Sequence, residues 1–149
     1  MERLNLPESG RLVFADTSAL FALASPRDQN NAVAKEIFRQ IADLRCPLLT
    51  TNHVVAEYHA LLVKRVGSRY ANEALAAMDA GAIEILVVNE SDEREGRSIL
   101  AASPASGYTL ADSISFGVMN RLGIRYAFTF DEHFVMQGFV TPTWDVGSS

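Results

Sequence analysis

The stretch VFADTSAL, residues 13–20, decides the fold of this chain. A short apolar run ends abruptly at Asp16, and two hydroxyl residues open the next apolar segment. Because the run is continuous rather than alternating, residues 12–15 are predicted to form a strand covered on both faces. In open parallel sheets, ligands bind at the carboxyl ends of the strands, so Asp16 is predicted to stand at a ligand-binding edge.

Length and composition favour one globular domain, predicted over residues 1–141, followed by a tail at 142–149. With 48% hydrophobic and 21% charged residues, the 149-residue chain can bury a sizeable core. No apolar run approaches the roughly 18 residues of a membrane span, and the first ten residues lack the apolar segment of a secretory signal. A single cysteine, Cys46, leaves no internal disulfide and fits a reducing compartment. The expected location is the cytoplasm, without membrane contact.

The formal net charge of −5 argues against sequence-independent binding to nucleic acid, which needs a basic surface. Two features weaken that argument. Only Lys35 and Lys64 among the 13 basic residues are lysines, and arginine is the better bidentate partner for phosphate. Divalent cations bound by the acids would also cancel much of the negative charge. The charge balance therefore leaves the class of partner open.

Strand and helix patterns alternate along the chain, which predicts a parallel sheet with right-handed crossovers. The fold class is α/β, a three-layer α/β/α arrangement with a four- or five-stranded, mainly parallel sheet. The predicted strands are 12–15, 47–50, 83–88 and 126–129, with 139–141 as a possible edge strand. The predicted helices are 17–24, 32–44, 52–66, 68–80, one from 91 or 92, 109–122 and 131–136.

Three further acids have positions that would bring them to the edge marked by Asp16. Glu57 borders the apolar face of a helix, where a glutamate is costly unless it is paired, binds a cation or reaches water. Asp112 has capping-box spacing to Thr109, and Asp131 follows the fourth strand as Asp16 follows the first. Each acid has an ordinary structural explanation, as a helix cap or a solvated side chain.

Taken together, the four acids make a stronger case than any one of them. If the first and fourth strands are neighbours, all four side chains could converge at one edge of the sheet. Clustered carboxylates repel one another and raise one another's pKa, so such clusters usually persist where cations neutralise them. A site made only of oxygen ligands suits Mg²⁺ or Mn²⁺.

Four segments in this order resemble the PIN-domain ribonucleases, many of whose bacterial and archaeal members are toxins of VapBC-type toxin–antitoxin pairs. They are ADTSAL at 15–20, the helical Glu57, LADS at 110–113 and FTFD at 128–131. The resemblance implies a PIN-like fold and a Mg²⁺-dependent (or Mn²⁺-dependent) endoribonuclease, in which a metal-activated water attacks phosphorus. It also implies a cytoplasmic RNA substrate, a possible cognate antitoxin and a homodimer.

The resemblance also assigns residues to roles. By this resemblance the catalytic and metal-binding acids are Asp16, Glu57, Asp112 and Asp131, and the supporting hydroxyls are Thr17, Ser18 and Thr129. Arg27, Lys64, Arg65 and Arg69 are candidate RNA contacts, with solvated surface charge as the alternative. His53, His59 and His133 do not pair at any metal-ligand spacing, so none is predicted to take part in the site.

Two other functions remain open from the residues. An aspartyl-phosphate phosphotransfer enzyme could use Asp16 as nucleophile, although haloacid-dehalogenase-like phosphatases place a second acid two residues on, where this chain has Ser18. A non-catalytic PIN-like module could bind RNA or protein, although such a module would usually have lost one of the acids. The apolar segments 20–24 and 54–62 could border a groove for a partner, but core packing explains them equally well.

Overall fold

The computed structural model, which describes residues 4–142, has a four-stranded parallel sheet flanked by helices and so confirms the predicted α/β class. The strands are β1 (Val13–Ala15), β2 (Leu48–Thr51), β3 (Ile83–Leu86) and β4 (Tyr126–Phe128). The helices are α1 (Thr17–Ala24), α2 (Asn31–Asp43), α3 (Asn52–Arg65), α4 (Ser68–Ala80), α5 (Glu90–Ala102), α6 (Leu110–Leu122) and α7 (Glu132–Met136). Within 4–142, every helix is too short or too polar to cross a bilayer.

The sheet has the order β3-β2-β1-β4, so β1 lies between β2 and β4. Val13 is in register with Leu48 on one side and with Tyr126 on the other, both in parallel pairs. All three residues of β1 are fully buried, as a strand covered on both faces must be. The neighbouring position of β1 and β4 brings the segments after both strands to one edge of the sheet.

The possible fifth strand at 139–141 is reduced to a single parallel bridge between Tyr126 and Val140. The Ala127 amide donates to the Val140 carbonyl at 2.9 Å, and the Val140 amide donates to the Arg125 carbonyl at 2.9 Å. Pro142 follows two residues later and has no amide hydrogen, so the pairing cannot continue as a ladder. Of the tail predicted at 142–149, only Pro142 is described, and residues 143–149 lie outside the described part of the chain. The predicted domain limits, residues 1 and 141, therefore stay predictions.

Helix ends follow local side-chain chemistry. Thr109 Oγ1 accepts from the Asp112 amide at 3.1 Å and Asp112 Oδ2 accepts from the Thr109 amide at 3.0 Å, which is the capping box that the spacing predicted. The start of α5 differs from the prediction, because Asn89 is the cap and Asp92 is its reciprocal partner rather than the first residue. An acid near a helix start can be the N-cap itself or the third helical residue that bonds back to the N-cap. The sequence pattern alone does not distinguish these two roles.

Helix α6, which carries Asp112, is fixed along its length by α5. A Cβ atom at Gly96 would lie 2.6 Å from Ile114 Cγ1 and 3.0 Å from the Ile114 amide nitrogen, so glycine permits the close approach. At the other end of α6, Arg121 donates to both carboxylate oxygens of the buried Asp92 at 2.8 and 3.0 Å. Burial opposes the charge of Asp92, but the Arg121 guanidinium outweighs it and lowers the pKa of that carboxyl.

We expect Gly96→Ala to lower the free energy of unfolding by about 1 to 2 kcal/mol, because overpacking at Ile114 outweighs the better helix propensity of alanine. The measurement is urea unfolding followed by circular dichroism. Ser98→Ala, at an exposed position of the same helix, is the matched control and should not lower the free energy of unfolding. A Gly96→Ala protein as stable as the parent would show that α5 and α6 are not in close contact.

Candidate active site

The carboxylate of Asp16 is buried at the point where β1 ends, and hydroxyl groups from two neighbouring segments hold it. Thr129, directly after β4, donates from Oγ1 to Asp16 Oδ2 at 2.9 Å, and Ser18 donates from Oγ to the same oxygen at 3.1 Å. The Phe130 amide in turn donates to Ser18 Oγ at 2.9 Å, and the Asp131 amide donates to Thr129 Oγ1 at 3.0 Å. Ser18 and Thr129 therefore fix the position of Asp16 relative to both strands.

The electrostatics of Asp16 show that the other acids are close. Burial raises the pKa of Asp16 to about 6, the hydrogen bond from Thr129 opposes the rise, and the charges of Asp112 and Asp131 add to it. Asp16 is only 3% exposed, so its oxygens have little access to water. The carboxylates that follow β1 and β4 and the one that opens α6 thus share one region of negative charge.

Three side chains form the centre of this region. Asp112, in the first turn of α6, and Asp131, the cap of α7, lie on either side of His133. The Nδ1 atom of His133 is 3.1 Å from Asp112 Oδ2 and 3.3 Å from Asp131 Oδ1. One ligand atom from each of the three lies within 4.8 Å of the others, a spacing that a single cation can span.

The three side chains open into a cavity of about 430 Å³ at the edge of the sheet. Glu57 and Lys64 of α3 line the same cavity, as does Thr17, although Glu57 does not belong to the close group of three. The Thr17 hydroxyl is buried and makes no hydrogen bond within the described residues. The structure thus brings Glu57, Asp112 and Asp131 to one cavity, and Asp16 is near enough for its charge to interact with those of Asp112 and Asp131.

The structure places His133, which the sequence prediction set aside, beside two of the predicted acids. Its spacing to the other histidines gave no sign of this, because its neighbours are Asp112 of another helix and Asp131, two residues before it. The available signal was its position two residues after Asp131, because the His133 amide donates to Asp131 Oδ1 at 3.0 Å and keeps both side chains at the start of α7. His53 and His59 have other partners, Glu93 at 3.2 Å and Asn72 at 2.8 Å.

The four candidate RNA contacts, Arg27, Lys64, Arg65 and Arg69, are all exposed. None of them forms an ion pair within the described part of the chain. Only Lys64 lines the cavity of the acids. Arg27 and Arg65 line a neighbouring groove of about 690 Å³, together with Phe21 and Tyr70. Arg69 lines neither. The basic side chains therefore extend from the acidic cavity into the adjoining groove.

Comparisons with known proteins find a matching family model, similar sequences and a similar structure. The family model described as the PIN domain matches residues 13–139. Two curated relatives, both described as the 23S rRNA-specific endonuclease VapC20 of Mycobacterium tuberculosis (strains CDC 1551 and H37Rv), are 31% identical over 129 residues, covering 87% of this chain and 96% of the relatives. The crystal structure of M. tuberculosis VapC20, described as a sarcin–ricin loop cleaving toxin, superposes with a TM-score of 0.79 at 32% identity, covering 86% of this chain and 96% of that one.

The raised pKa of Asp16 predicts how the stability of the metal-free protein depends on pH. The folded-state pKa of about 6 lies above the ordinary value of 3.8, so the contribution of Asp16 is full below about pH 4 and is lost as the pH rises through 6. Relative to Asp16→Asn, which keeps an acceptor oxygen for Thr129 and Ser18, the parent should lose about 3 kcal/mol between pH 4 and pH 7.

The measurement is urea unfolding in EDTA at several pH values. Asp79→Asn, which alters an exposed acid on α4, should follow the parent profile. Parallel profiles for the parent and Asp16→Asn would contradict the raised pKa.

Proposed function

Since the chain belongs to the PIN-domain family, we propose that it is a divalent-metal-dependent endoribonuclease of the VapC toxin type. The observation that carries the proposal is the convergence of Asp112, Asp131 and His133 on one cation-sized space, with Glu57 in the same cavity. Carboxylate oxygens in this number suit Mg²⁺ or Mn²⁺. The endonuclease activity attributed to the VapC20 relatives supports RNA as the substrate.

The residues of the cavity fit a divalent cation. Asp112 and Asp131 would bind it directly, and the other two predicted ligands, Glu57 and Asp16, would complete the site from α3 and from the end of β1. The unpartnered hydroxyl of Thr17 offers a further hydrogen-bonding group at the same place within the described residues. A divalent cation bound there supplies a water nucleophile of lowered pKa at neutral pH and neutralises charge at phosphorus.

The chain's own side chains do the positioning. Thr129 and Ser18 hold Asp16 in one orientation, and Asp16 adds its negative charge to those of Asp112 and Asp131. Lys64, at the cavity wall, would bind a phosphate of the RNA backbone, and Arg27 and Arg65 would bind phosphates along the adjoining groove. Arg69, which lines neither the cavity nor the groove, is a weaker candidate. Cleavage would leave a 5′-phosphate and a 3′-hydroxyl, as the family resemblance implies.

The structure gives specific reasons to prefer this function to the alternatives. A nucleophile for aspartyl-phosphate chemistry must be reached by phosphorus, whereas Asp16 is 3% exposed and its Oδ2 accepts hydrogen bonds from two hydroxyls. A non-catalytic module would have no use for acids whose charges add to the rise that burial causes in the pKa of Asp16. A bound cation would balance the charge of the cluster and so offset the free-energy cost of holding these carboxylates close together.

We also propose the partners that accompany a VapC-type toxin: a cognate antitoxin, a second copy of the chain and a cytoplasmic RNA. The 23S rRNA named for the relatives, with its sarcin–ricin loop, is the first substrate to assay. Five of the apolar positions considered for an antitoxin groove are buried in the core: Leu20, Ala22, Val54, Tyr58 and Leu62. Phe21 and Ala24 line the groove beside the active site instead. The antitoxin and the homodimer stay predictions.

We expect Asp112→Asn and Asp16→Asn to lower the rate of RNA cleavage in Mg²⁺ by at least about 100-fold, since several kcal/mol of transition-state stabilisation depend on the bound cation. The amide oxygen introduced by Asp112→Asn remains an acceptor for the Thr109 amide, so the helix cap survives. The measurement is cleavage of labelled RNA by purified protein, with EDTA and Asp79→Asn as controls. Equal cleavage in EDTA, or by the Asp112→Asn variant, would rule out the proposal.

The two lysines of the chain provide a test of the RNA path. In the Asp112→Asn background, which keeps the RNA intact, Lys64→Gln should weaken RNA binding and make the dependence of log K on log salt shallower by about 0.7 to 1. Lys35→Gln, on the exposed side of α2, should change neither quantity. Fluorescence anisotropy at several salt concentrations measures the affinity for RNA and its salt dependence. Equal effects of the two substitutions would show that Lys64 does not contact the RNA.

A further inference from the structure

The position of His133 relative to Asp112 and Asp131 has the dimensions of a coordination shell. Adjacent ligands of an octahedral ion with bonds of about 2.1 Å lie about 3.0 Å apart. The Nδ1 atom of His133 lies 3.1 Å from Asp112 Oδ2 and 3.3 Å from Asp131 Oδ1. One ion could therefore contact all three side chains, since one ligand atom from each lies within 4.8 Å of the others.

The three atoms need a proton or a cation between them. The Nδ1 atom lies at hydrogen-bond distance, 3.1 Å, from Asp112 Oδ2, so a ring protonated at Nδ1 can donate to that carboxylate. An unprotonated Nδ1 and the two carboxylate oxygens are all acceptors, and in that state a cation is what allows them to lie this close. The Asp131 oxygen, 3.3 Å from the same nitrogen, makes His133 differ from a core histidine whose ring nitrogen faces a single partner.

The imidazole ring is also held in place before any ion binds. Tyr108 packs edge-on against it with ring centroids 5.2 Å apart, and Phe134, the next residue, is fully buried in the core. A Cβ atom at Gly107 would lie 3.7 Å from His133 Nε2, an ordinary van der Waals distance, so the loop before α6 passes close to the far side of the ring. A ligand held this way loses little conformational freedom on binding.

A second observation points to a ligand at the same place. Thr17 is more than nine-tenths buried and lines the cavity of Asp112, Asp131 and His133, yet its hydroxyl has no hydrogen-bond partner within the described residues. Leaving a buried hydroxyl unsatisfied costs about 1 to 3 kcal/mol, so a bound ion with its water would give this group the partner it lacks.

We propose that His133 is a nitrogen ligand, through Nδ1, of the divalent ion in this active site, and that it makes the site favour Mn²⁺ over Mg²⁺. The inference rests on the proposed function, because it assumes that the acidic cavity binds a divalent ion. Imidazole binds transition-metal ions well, whereas Mg²⁺ prefers oxygen ligands and retains its water. Replacing one oxygen by nitrogen therefore shifts the preference of the site without changing its place in the fold.

The direct test is pulsed electron paramagnetic resonance on the full-length protein, stripped of metal and loaded with one equivalent of Mn²⁺. A directly coordinated imidazole produces ¹⁴N modulation of the Mn²⁺ echo, and this modulation should change to the ¹⁵N pattern when the protein is labelled with ¹⁵N-histidine. His133→Gln should abolish the signal. His53→Gln and His59→Gln, whose partners lie elsewhere, should leave it unchanged.

Binding constants provide the second measurement. His133→Gln should weaken Mn²⁺ binding by about tenfold or more, the size of effect that even outer-shell partners of a metal produce, and should weaken Mg²⁺ binding much less. His133→Asn, which can retain a hydrogen bond to a carboxylate, serves as a second variant if His133→Gln unfolds. Thermal unfolding in EDTA verifies that each variant is folded.

The outcomes separate this inference from the proposed function. If the parent binds Mn²⁺, Asp112→Asn does not and no ¹⁴N coupling appears, then the acidic metal site stands and the role of His133 is refuted. If the parent binds neither Mn²⁺ nor Mg²⁺, both proposals fail. A ¹⁴N signal that persists in His133→Gln would assign the nitrogen to another residue and would also refute the role of His133.

Discussion

The rest of the structure depends on the position of one buried carboxylate, that of Asp16, at the junction of β1 and β4. Two parallel strands end side by side there, and hydroxyl groups that follow each strand donate to the same carboxylate oxygen. The bonds tie the turn after β4, which leads into Asp131 and His133, to the start of α1. A site assembled from distant parts of the chain thereby acquires a rigid base.

The same arrangement carries a cost that the fold alone does not explain. Burial and the neighbouring charges of Asp112 and Asp131 raise the pKa of Asp16 to about 6, which means that the ionised form is held at an energetic disadvantage. Elsewhere in this protein a buried acid is balanced, since Arg121 donates twice to Asp92. The contrast between the two aspartates favours a function for the unbalanced cluster over a structural role, and a divalent ion is the partner that would balance it.

The inclusion of His133 alters the chemical character of the site. Oxygen ligands alone would leave Mg²⁺ and Mn²⁺ nearly equivalent choices, whereas an imidazole nitrogen beside two carboxylates distinguishes them. The imidazole ring belongs to a short helix, α7, whose N-cap is Asp131. The hydrogen bond from the His133 amide to Asp131 Oδ1 therefore fixes the two side chains relative to each other. In the groove next to this site, exposed arginines and aromatic rings continue the surface along which RNA would lie.

The sequence by itself determined the alternation of strands and helices, the start of α1 directly after Asp16 and the capping box of α6, because apolar periodicity and caps are local properties. It also singled out Asp16, Glu57, Asp112 and Asp131, and their order along the chain supported the family that the comparisons show. Only the tertiary structure decided that residues 139–141 form a bridge rather than a strand, that Glu57, Asp112 and Asp131 line one cavity, and that His133 joins Asp112 and Asp131. The physical reason is that a contact between residues far apart in the chain depends on how strands pair and how helices pack, and no local pattern of side chains records those distances.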